Sequence, residues 1–137
     1  MDIQTRTTLE ALWSDDDDAR YKAWLAVIAL TDAPVDWAYE VWDDLLAHLR
    51  HKNNHMRAIA SQVLCNLAKS DPENRMLKDF DAIMAVTGDK MFVTARHTLQ
   101  AVWKVGVAGE KQRGLVLDRL ARWFRECVSH KNCTLIR

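Results

Sequence analysis

Glycine, proline and cysteine are scarce in this chain, which has 4 glycines, 2 prolines and 3 cysteines in 137 residues. So few helix breakers favour long helices over many short strands joined by turns. An odd number of cysteines, with no Cys-x-x-Cys pair, is not typical of a disulfide framework and indicates reduced thiols. Together with the length, these deficits predict a single all-α domain.

Net charge and long apolar runs are also absent from the sequence. Its 19 basic residues are balanced by 19 acidic ones, whereas dedicated nucleic-acid-binding domains usually carry a basic excess that neutralises phosphates. No apolar run approaches the length of about 18 residues that a membrane span needs. The first residues, MDIQTRTTLEALW, include an early acid and no apolar signal region, so we expect a cytoplasmic setting.

Apolar residues recur at helical spacing through most of the chain. The clearest runs are RYKAWLAVIAL at 20–30, RAIASQVLCNLA at 57–68 and RHTLQAVWKVG at 96–106. Other amphipathic segments lie between and after them, at 35–49, 73–87 and 110–128. The pattern predicts pairs of helices, and it places Trp42 and Trp103 among the core positions.

The helical runs repeat with a period of about 38 residues. An arginine marks each copy, at Arg20, Arg57, Arg96 and Arg137. After each of the first three, a small or apolar residue stands three positions on, and an apolar pair follows at six and seven positions on. One helix pair cannot bury its own apolar stripe, whereas stacked pairs share a continuous core.

The helix breakers repeat as well. Pro34 and Pro72 stand one such period apart, and Gly109 lies about one further period along the chain. Each is expected to open the next helix after a short turn, because proline at the first helical position removes an N–H group that would have no partner there.

The arginine-based pattern resembles the second helix of HEAT-like repeats, as in bacterial HEAT-repeat proteins of the armadillo type. The resemblance runs from about residue 15 to the end. It implies one domain over 1–137, folded as a right-handed α-α superhelix. The implied helix pairs cover 1–32, 33–70 and 71–108, with a partial pair at 109–137 that suggests a fragment of a longer solenoid. HEAT units often carry Asp six residues before the arginine, where this chain has His51, Lys90 and Lys131.

Solenoids bind partners on a concave face lined by second helices, and the resemblance places six exposed side chains there. They are Trp24, Ser61, Asn66, Lys69, Gln100 and Lys104. Such a mixed polar surface with one aromatic ring suits a protein or peptide partner better than a strongly anionic one. The sequence contains no catalytic triad pattern, phosphate-binding glycine loop or HExxH motif. We therefore expect a non-catalytic scaffold or interaction module without a cofactor.

Two alternative functions stay open. Some HEAT-like bacterial proteins are similar to alkyl-purine DNA glycosylases, which hold damaged DNA with Trp, Asp and Arg side chains. The 6 tryptophans favour such a DNA-binding module, while the zero net charge disfavours it; no catalytic residue is carried over. The other alternative is self-association through the C-terminal edge, because the apolar stripe of 115–128 has no second helix to cover it.

Two clusters combine residue types that bind metals. They are His48, His51 and His55, and Cys127, His130 and Cys133. Zinc accepts both residue types, but a structural site needs four ligands, and neither cluster has a fourth nearby in sequence. Helix C-caps explain both clusters, since the tripeptide His-Lys-Asn occurs in each and suits a helix C-terminus. We therefore predict no metal site.

Two further stretches have simple structural interpretations. The run of four aspartates at 15–18 fits a helix start with Ser14 as N-cap, because a calcium-binding EF-hand loop would need a glycine and a glutamate that are missing. Cys65 lies in the middle of a helical run without His or Asp at a helical spacing, which favours packing over a role as nucleophile.

Overall fold

The computed structural model describes residues 1–129, which contain helices and turns and no strand. The helices are α1 Ile3–Glu10, α2 Asp17–Thr31, α3 Ala38–His48, α4 Asn54–Leu67, α5 Met76–Val86, α6 Phe92–Ala101, α7 Trp103–Gly106 and α8 Glu110–Val128. The predicted all-α class is confirmed. Within this range, no helix combines the length and the apolar character needed to cross a membrane.

The helices lie in two rows. One row contains α2, α4 and α6, which pack side by side. The other contains α1, α3, α5 and α8, joined in turn by the pairs Arg6–Glu40, Trp42–Asp79 and Asp81–Arg119. Because α4 also packs against α3 and α5, neighbours surround it, and 10 of its 14 residues are buried.

The core lies between the two rows. The predicted apolar stripe of α4, Ala60, Val63, Leu64 and Leu67, is completely buried, which confirms the helical period read from that segment. Trp42 of α3 is also completely buried, as predicted. Burial of large apolar side chains is the main source of stability in such a core.

The turns before α2, α4 and α6 share one hydrogen-bond pattern. In each turn, a side chain two residues before the N-cap accepts a hydrogen bond from the backbone N–H of the N-cap. The accepting atoms are Ser14 Oγ at 3.1 Å, His51 Nδ1 at 3.0 Å and Asp89 Oδ1 at 2.9 Å, and the N-caps are Asp16, Asn53 and Met91. The repeated unit is therefore a turn geometry that different residue types can build.

Two of the predicted helix caps differ from those in the structure. Asp16, not Ser14, is the N-cap of α2, because Ser14 already accepts the N–H of Asp16. Asn53 has an extended backbone and caps the start of α4, where its side chain accepts the N–H of His55 at 2.9 Å. The predicted C-cap role of Asn53 is therefore wrong.

Arg20 and Arg57 play the same part in successive turns. Each guanidinium donates to the carbonyl oxygen six residues earlier, to Ser14 at 3.0 Å and to His51 at 2.8 Å. Arg57 also bonds both carboxylate oxygens of Asp89, with its Nε at 2.6 Å and its second terminal nitrogen at 3.0 Å. This ion pair connects the start of α4 to the turn before α6.

The third copy departs from the register that the arginines suggest. Arg20 and Arg57 stand four residues after their N-caps, and the residue four after Met91 is Ala95, not Arg96. One residue corresponds to a rotation of about 100° around a helix. Arg96 is consequently exposed, and the predicted core position of Trp103 is wrong, since that side chain is 57% exposed.

The prolines do not begin helices. Pro34 and Pro72 each stand four residues before the first residue of the next helix. At the start of α5, the buried carboxylate of Asp71 accepts the backbone N–H groups of Arg75 and Met76, both at 2.8 Å. The free N–H groups at the start of α5 are therefore satisfied by the side chain of Asp71, and not avoided by a proline at the first helical position.

Candidate functional site

A groove crosses the row formed by α2, α4 and α6. It consists of two adjoining cavities of about 600 and 150 Å³, both of which are lined by Trp24, Gln62 and His97. We call it the three-helix groove. Its lining residues are Asp17, Arg20, Tyr21, Trp24 and Ile28; Asn54, His55, Ala58, Ile59 and Gln62; and Val93, Thr94, His97, Gln100, Ala101 and Lys104.

The groove combines apolar surface, aromatic rings and amide groups with few uncompensated charges. The rings of Tyr21 and Trp24 lie side by side, with their centroids 5.9 Å apart. Its one carboxylate, on Asp17, forms an ion pair with Arg20 at one end. Lys104 lies at the other end. A mostly apolar concavity with a few polar groups is the usual form of a ligand-binding site.

The indole N–H of Trp24 is buried and has no hydrogen-bond partner among residues 1–129. A buried donor without a partner costs about 1–3 kcal/mol, and native proteins contain few such groups. The Trp24 side chain lines both cavities, but its indole nitrogen lies below the groove surface, out of contact with solvent.

Three of the six predicted site residues come together in this groove, namely Trp24, Gln100 and Lys104. Lys69 is exposed, but its ammonium group donates to the carbonyl oxygens of Thr31 at 2.8 Å and of Asn66 at 3.0 Å. Lys69 therefore joins the ends of α2 and α4 and does not line the groove.

The predicted exposure of Ser61 and Asn66 is wrong, because both residues are completely buried. The Ser61 hydroxyl lies 2.7 Å from the hydroxyl of Thr98 in α6. The Asn66 amide donates to Thr31 Oγ1 at 3.0 Å and to the Ile28 carbonyl at 3.2 Å in α2. Both residues are buried because α4 lies between α2 and α6. Ser61 bonds to α6, and Asn66 bonds to α2.

The other lining residues of the groove were not predicted, and they include Tyr21, His55, Gln62 and His97. Tyr21 precedes Trp24 by three residues, and His97 precedes Gln100 by three, so each pair lies on one side of its helix. His55 and Gln62 are seven residues apart on α4, which is about two helical turns. Extending the predicted face by one turn would have identified Tyr21 and His97, whereas His55 lies six residues from Ser61, the nearest predicted position on α4.

The histidines of the stretch 48–55 do not converge. The ring of His48 stacks on Trp13, with centroids 3.6 Å apart, and lies 5.6 Å from the ring of His51, while His55 lines the groove. Between residues 1 and 129, no group of three His, Cys, Asp or Glu side chains is placed to hold a metal ion. The second predicted cluster includes His130 and Cys133, which lie outside the described residues.

The burial of Cys65 predicts that its thiol is unreactive in the folded protein. Its side chain is completely buried, and burial raises the pKa of the thiol to about 12. At about pH 8, roughly one such thiol in ten thousand is ionised, and the thiolate is the reactive form. We expect iodoacetamide to leave Cys65 unlabelled in the folded protein and to label it after denaturation, as measured by mass mapping of peptides. Rapid labelling of Cys65 in the folded state would contradict this burial.

Comparisons with known proteins do not add to this geometry, since no protein-family model, curated protein or solved structure matches the chain. The three-helix groove is therefore the feature of this chain that points to a function. Its lining offers apolar contact, aromatic stacking and amide hydrogen bonds, which are the means of binding a flexible ligand.

Proposed function

We propose that this chain is a HEAT-like helical-repeat module that binds an extended segment of a protein or peptide partner in the three-helix groove, without catalysing a reaction on it. The observation that carries the proposal is the chemical composition of the groove. Apolar surface between Tyr21 and Ala101 suits the side chains of a peptide, and the amides of Gln62 and Gln100 suit its backbone.

A regular spacing of polar contacts supports the repeat architecture. Between described residues more than six positions apart, every side-chain hydrogen bond joins residues separated by 32 to 40 positions. This is the pattern expected when each helix pair contacts only the next one. It favours a solenoid with pairs at 1–32, 33–70 and 71–108 and the beginning of a fourth at 109–137, and the resemblance to HEAT-like repeats implies that this solenoid is right-handed.

The charges of the groove favour a peptide over DNA. The guanidinium of Arg20 is already engaged by Asp17 and by the carbonyl oxygen of Ser14. Lys104 is then the groove cation that remains for a phosphate. Specific duplex binding usually depends on several phosphate contacts and is strongly salt-dependent, so a short duplex is expected to bind weakly, if at all.

Trp24 is the residue on which the proposal depends most directly. Its side chain lines both cavities of the groove, so a ligand in either cavity contacts it. Its ring adds apolar contact area beside Tyr21. Aromatic residues of this type carry a large share of the binding free energy in many interfaces.

We expect Trp24→Ala to weaken peptide binding about 30-fold or more, the effect typical of a hot-spot residue that contributes about 2 kcal/mol. Peptides are first selected with the wild-type chain from a random display library. The best of them is then titrated by isothermal calorimetry against wild type and variant. Tyr21→Ala is a second variant, and it removes an exposed ring with little risk to folding.

Trp103→Ala is the matched control, because Trp103 is exposed and is not among the lining residues of the groove. It should bind the selected peptide as wild type does. The proposed function fails if Trp24→Ala and Tyr21→Ala both bind with unchanged affinity. It also fails if a short duplex binds with a steep salt dependence that these variants abolish, since that result would favour the DNA-binding alternative.

A further inference from the structure

Helix α8 carries an apolar stripe on the side that faces away from its neighbours. α8 packs against α5 and α7, and its buried residues are Gln112 and Val116. On another side lie Leu117, Phe124 and Val128, which are 60%, 53% and 55% exposed. Within residues 1–129, no helix covers these side chains.

The anchoring of α8 fixes the direction in which the stripe points. Gln112 donates to the side-chain oxygen of Asn74 at 2.8 Å. The guanidinium of Arg119 bonds both carboxylate oxygens of Asp81 in α5, at 2.6 and 3.2 Å. These bonds hold one side of α8 on the domain, so the stripe is a fixed surface of the folded chain.

The spacing of the stripe is that of a seam between two helices. Leu117, Ala121, Phe124 and Val128 follow one another at intervals of four, three and four residues. This alternation is the heptad spacing by which one helix packs along another at a shallow angle. The four residues span about 17 Å at 1.5 Å per residue.

The stripe is complementary to itself when two copies run antiparallel. Centred between residues 122 and 123, such a pair places Leu117 opposite the partner subunit's Val128. The small Ala121 then lies opposite the partner subunit's Phe124, so a large ring fills the space above a methyl group. Large residues facing small ones pack without voids.

The charges beside the stripe are complementary in the same arrangement. Asp118 and Arg125 each follow a stripe residue, so they flank the same side of the seam. In the antiparallel pair, Asp118 lies beside the partner subunit's Arg125, and the two-fold axis generates this contact twice. Asp118 also pairs with Arg119 and Arg122 of its own helix, whereas Arg125 has no ion-pair partner among residues 1–129.

We propose that the α8 stripe is a docking surface for a second copy of this chain, which pairs through it as an antiparallel, two-fold symmetric dimer. The seam is short compared with that of permanent dimers, so the dimer is reversible and depends on protein concentration. The surface lies on the row of helices that does not line the three-helix groove, so the proposal is independent of peptide binding.

Charge reversal tests the proposal sharply. Asp118→Arg places like charges opposite each other twice in the dimer, and so does Arg125→Asp. We expect each single variant to dimerise about tenfold more weakly than wild type. Mixing the two variants restores both opposite-charge contacts in a heterodimer, and Asp118→Arg/Arg125→Asp restores them in a homodimer. Sedimentation velocity over a wide concentration range measures all four cases.

Two controls accompany the series. Arg96→Asp reverses an exposed charge on α6 and should dimerise as wild type does. Phe124→Glu introduces a charge into the seam and should remain monomeric, with helical content unchanged by circular dichroism. A wild type that stays monomeric at every concentration overturns the proposal and assigns the stripe to another occupant. So does a dimer that neither single charge reversal weakens, since its interface would lie elsewhere.

Discussion

Replacing Asp89 with asparagine is expected to destabilise the fold by about 3 kcal/mol, because it leaves the charge of Arg57 buried without its counter-ion. The two side chains are 12% and 8% exposed, so water cannot compensate the loss as it does at the surface. An amide oxygen at position 89 can still accept the N–H of Met91, which keeps the turn before α6. Urea denaturation followed by circular dichroism measures the change in the free energy of unfolding.

Asp18→Asn is the matched control for this variant. Asp18 pairs with Lys22 at 3.0 Å, and both side chains are 73% exposed. Exposed pairs of this kind contribute less than about 1 kcal/mol. If the two asparagine variants lost equal stability, the Arg57–Asp89 pair would not connect the successive turns in the way the structure indicates.

The destabilisation caused by Asp89→Asn is expected to depend on pH. The hydrogen bond from Arg57 holds the pKa of Asp89 below its ordinary value of 3.8. A carboxyl whose pKa is lower in the folded chain stabilises the fold above the pKa of the unfolded chain. This stabilisation is lost as the pH falls through the lower, folded pKa. The difference in stability between wild type and Asp89→Asn should therefore shrink below about pH 4.

Replacing Trp42 with alanine is expected to cost about 3–5 kcal/mol, the range for removing a large aromatic side chain from a core. Trp42 is completely buried, its indole N–H donates to Asp79 Oδ2 at 2.9 Å, and its ring meets that of Tyr39 edge to face. The substitution removes the packing, leaves a cavity, and takes the hydrogen-bond donor away from Asp79. A loss of this size is a large part of the stability of a small domain.

Trp103→Ala makes the same chemical change at an exposed site. Trp103 is 57% exposed, so its removal should cost less than about 1 kcal/mol. The comparison is decisive because the amphipathic pattern predicts a core position for both tryptophans, whereas the structure buries only Trp42. Equal losses in the two variants would mean that α7 is turned so that Trp103 is buried.

Much of the fold follows from local information in the sequence. The period of apolar residues in α4 predicts its buried stripe, because that stripe depends only on 3.6 residues per turn. The turns before α2, α4 and α6 also have a local feature in common, which is a side-chain acceptor two residues before the N-cap. Trp24, Gln100 and Lys104 could be predicted as exposed side chains because each lies outside the apolar stripe of its own helical run.

The remaining features depend on contacts between helices. Whether Ser61 is exposed or buried depends on α2 and α6 lying on both sides of α4, and no residue near Ser61 encodes that arrangement. Asp89 could not be assigned as the counter-ion of Arg57 from spacing alone, because the two residues are 32 positions apart and belong to successive turns.

The sequence by itself determined the helical class, the approximate length of the repeat and the apolar stripe of the central helix, because these depend on periodicity within a single helix. Only the tertiary structure decided the register of the third copy, where Ala95 rather than an arginine stands four residues after the N-cap and Trp103 is turned towards solvent. The tertiary structure also decided which side of α8 is left uncovered. The physical reason is that a register shift of one residue, which turns the helix by about 100° around its own axis, changes little in the free energy of the helix itself. Only the packing of that helix against its neighbours selects one register.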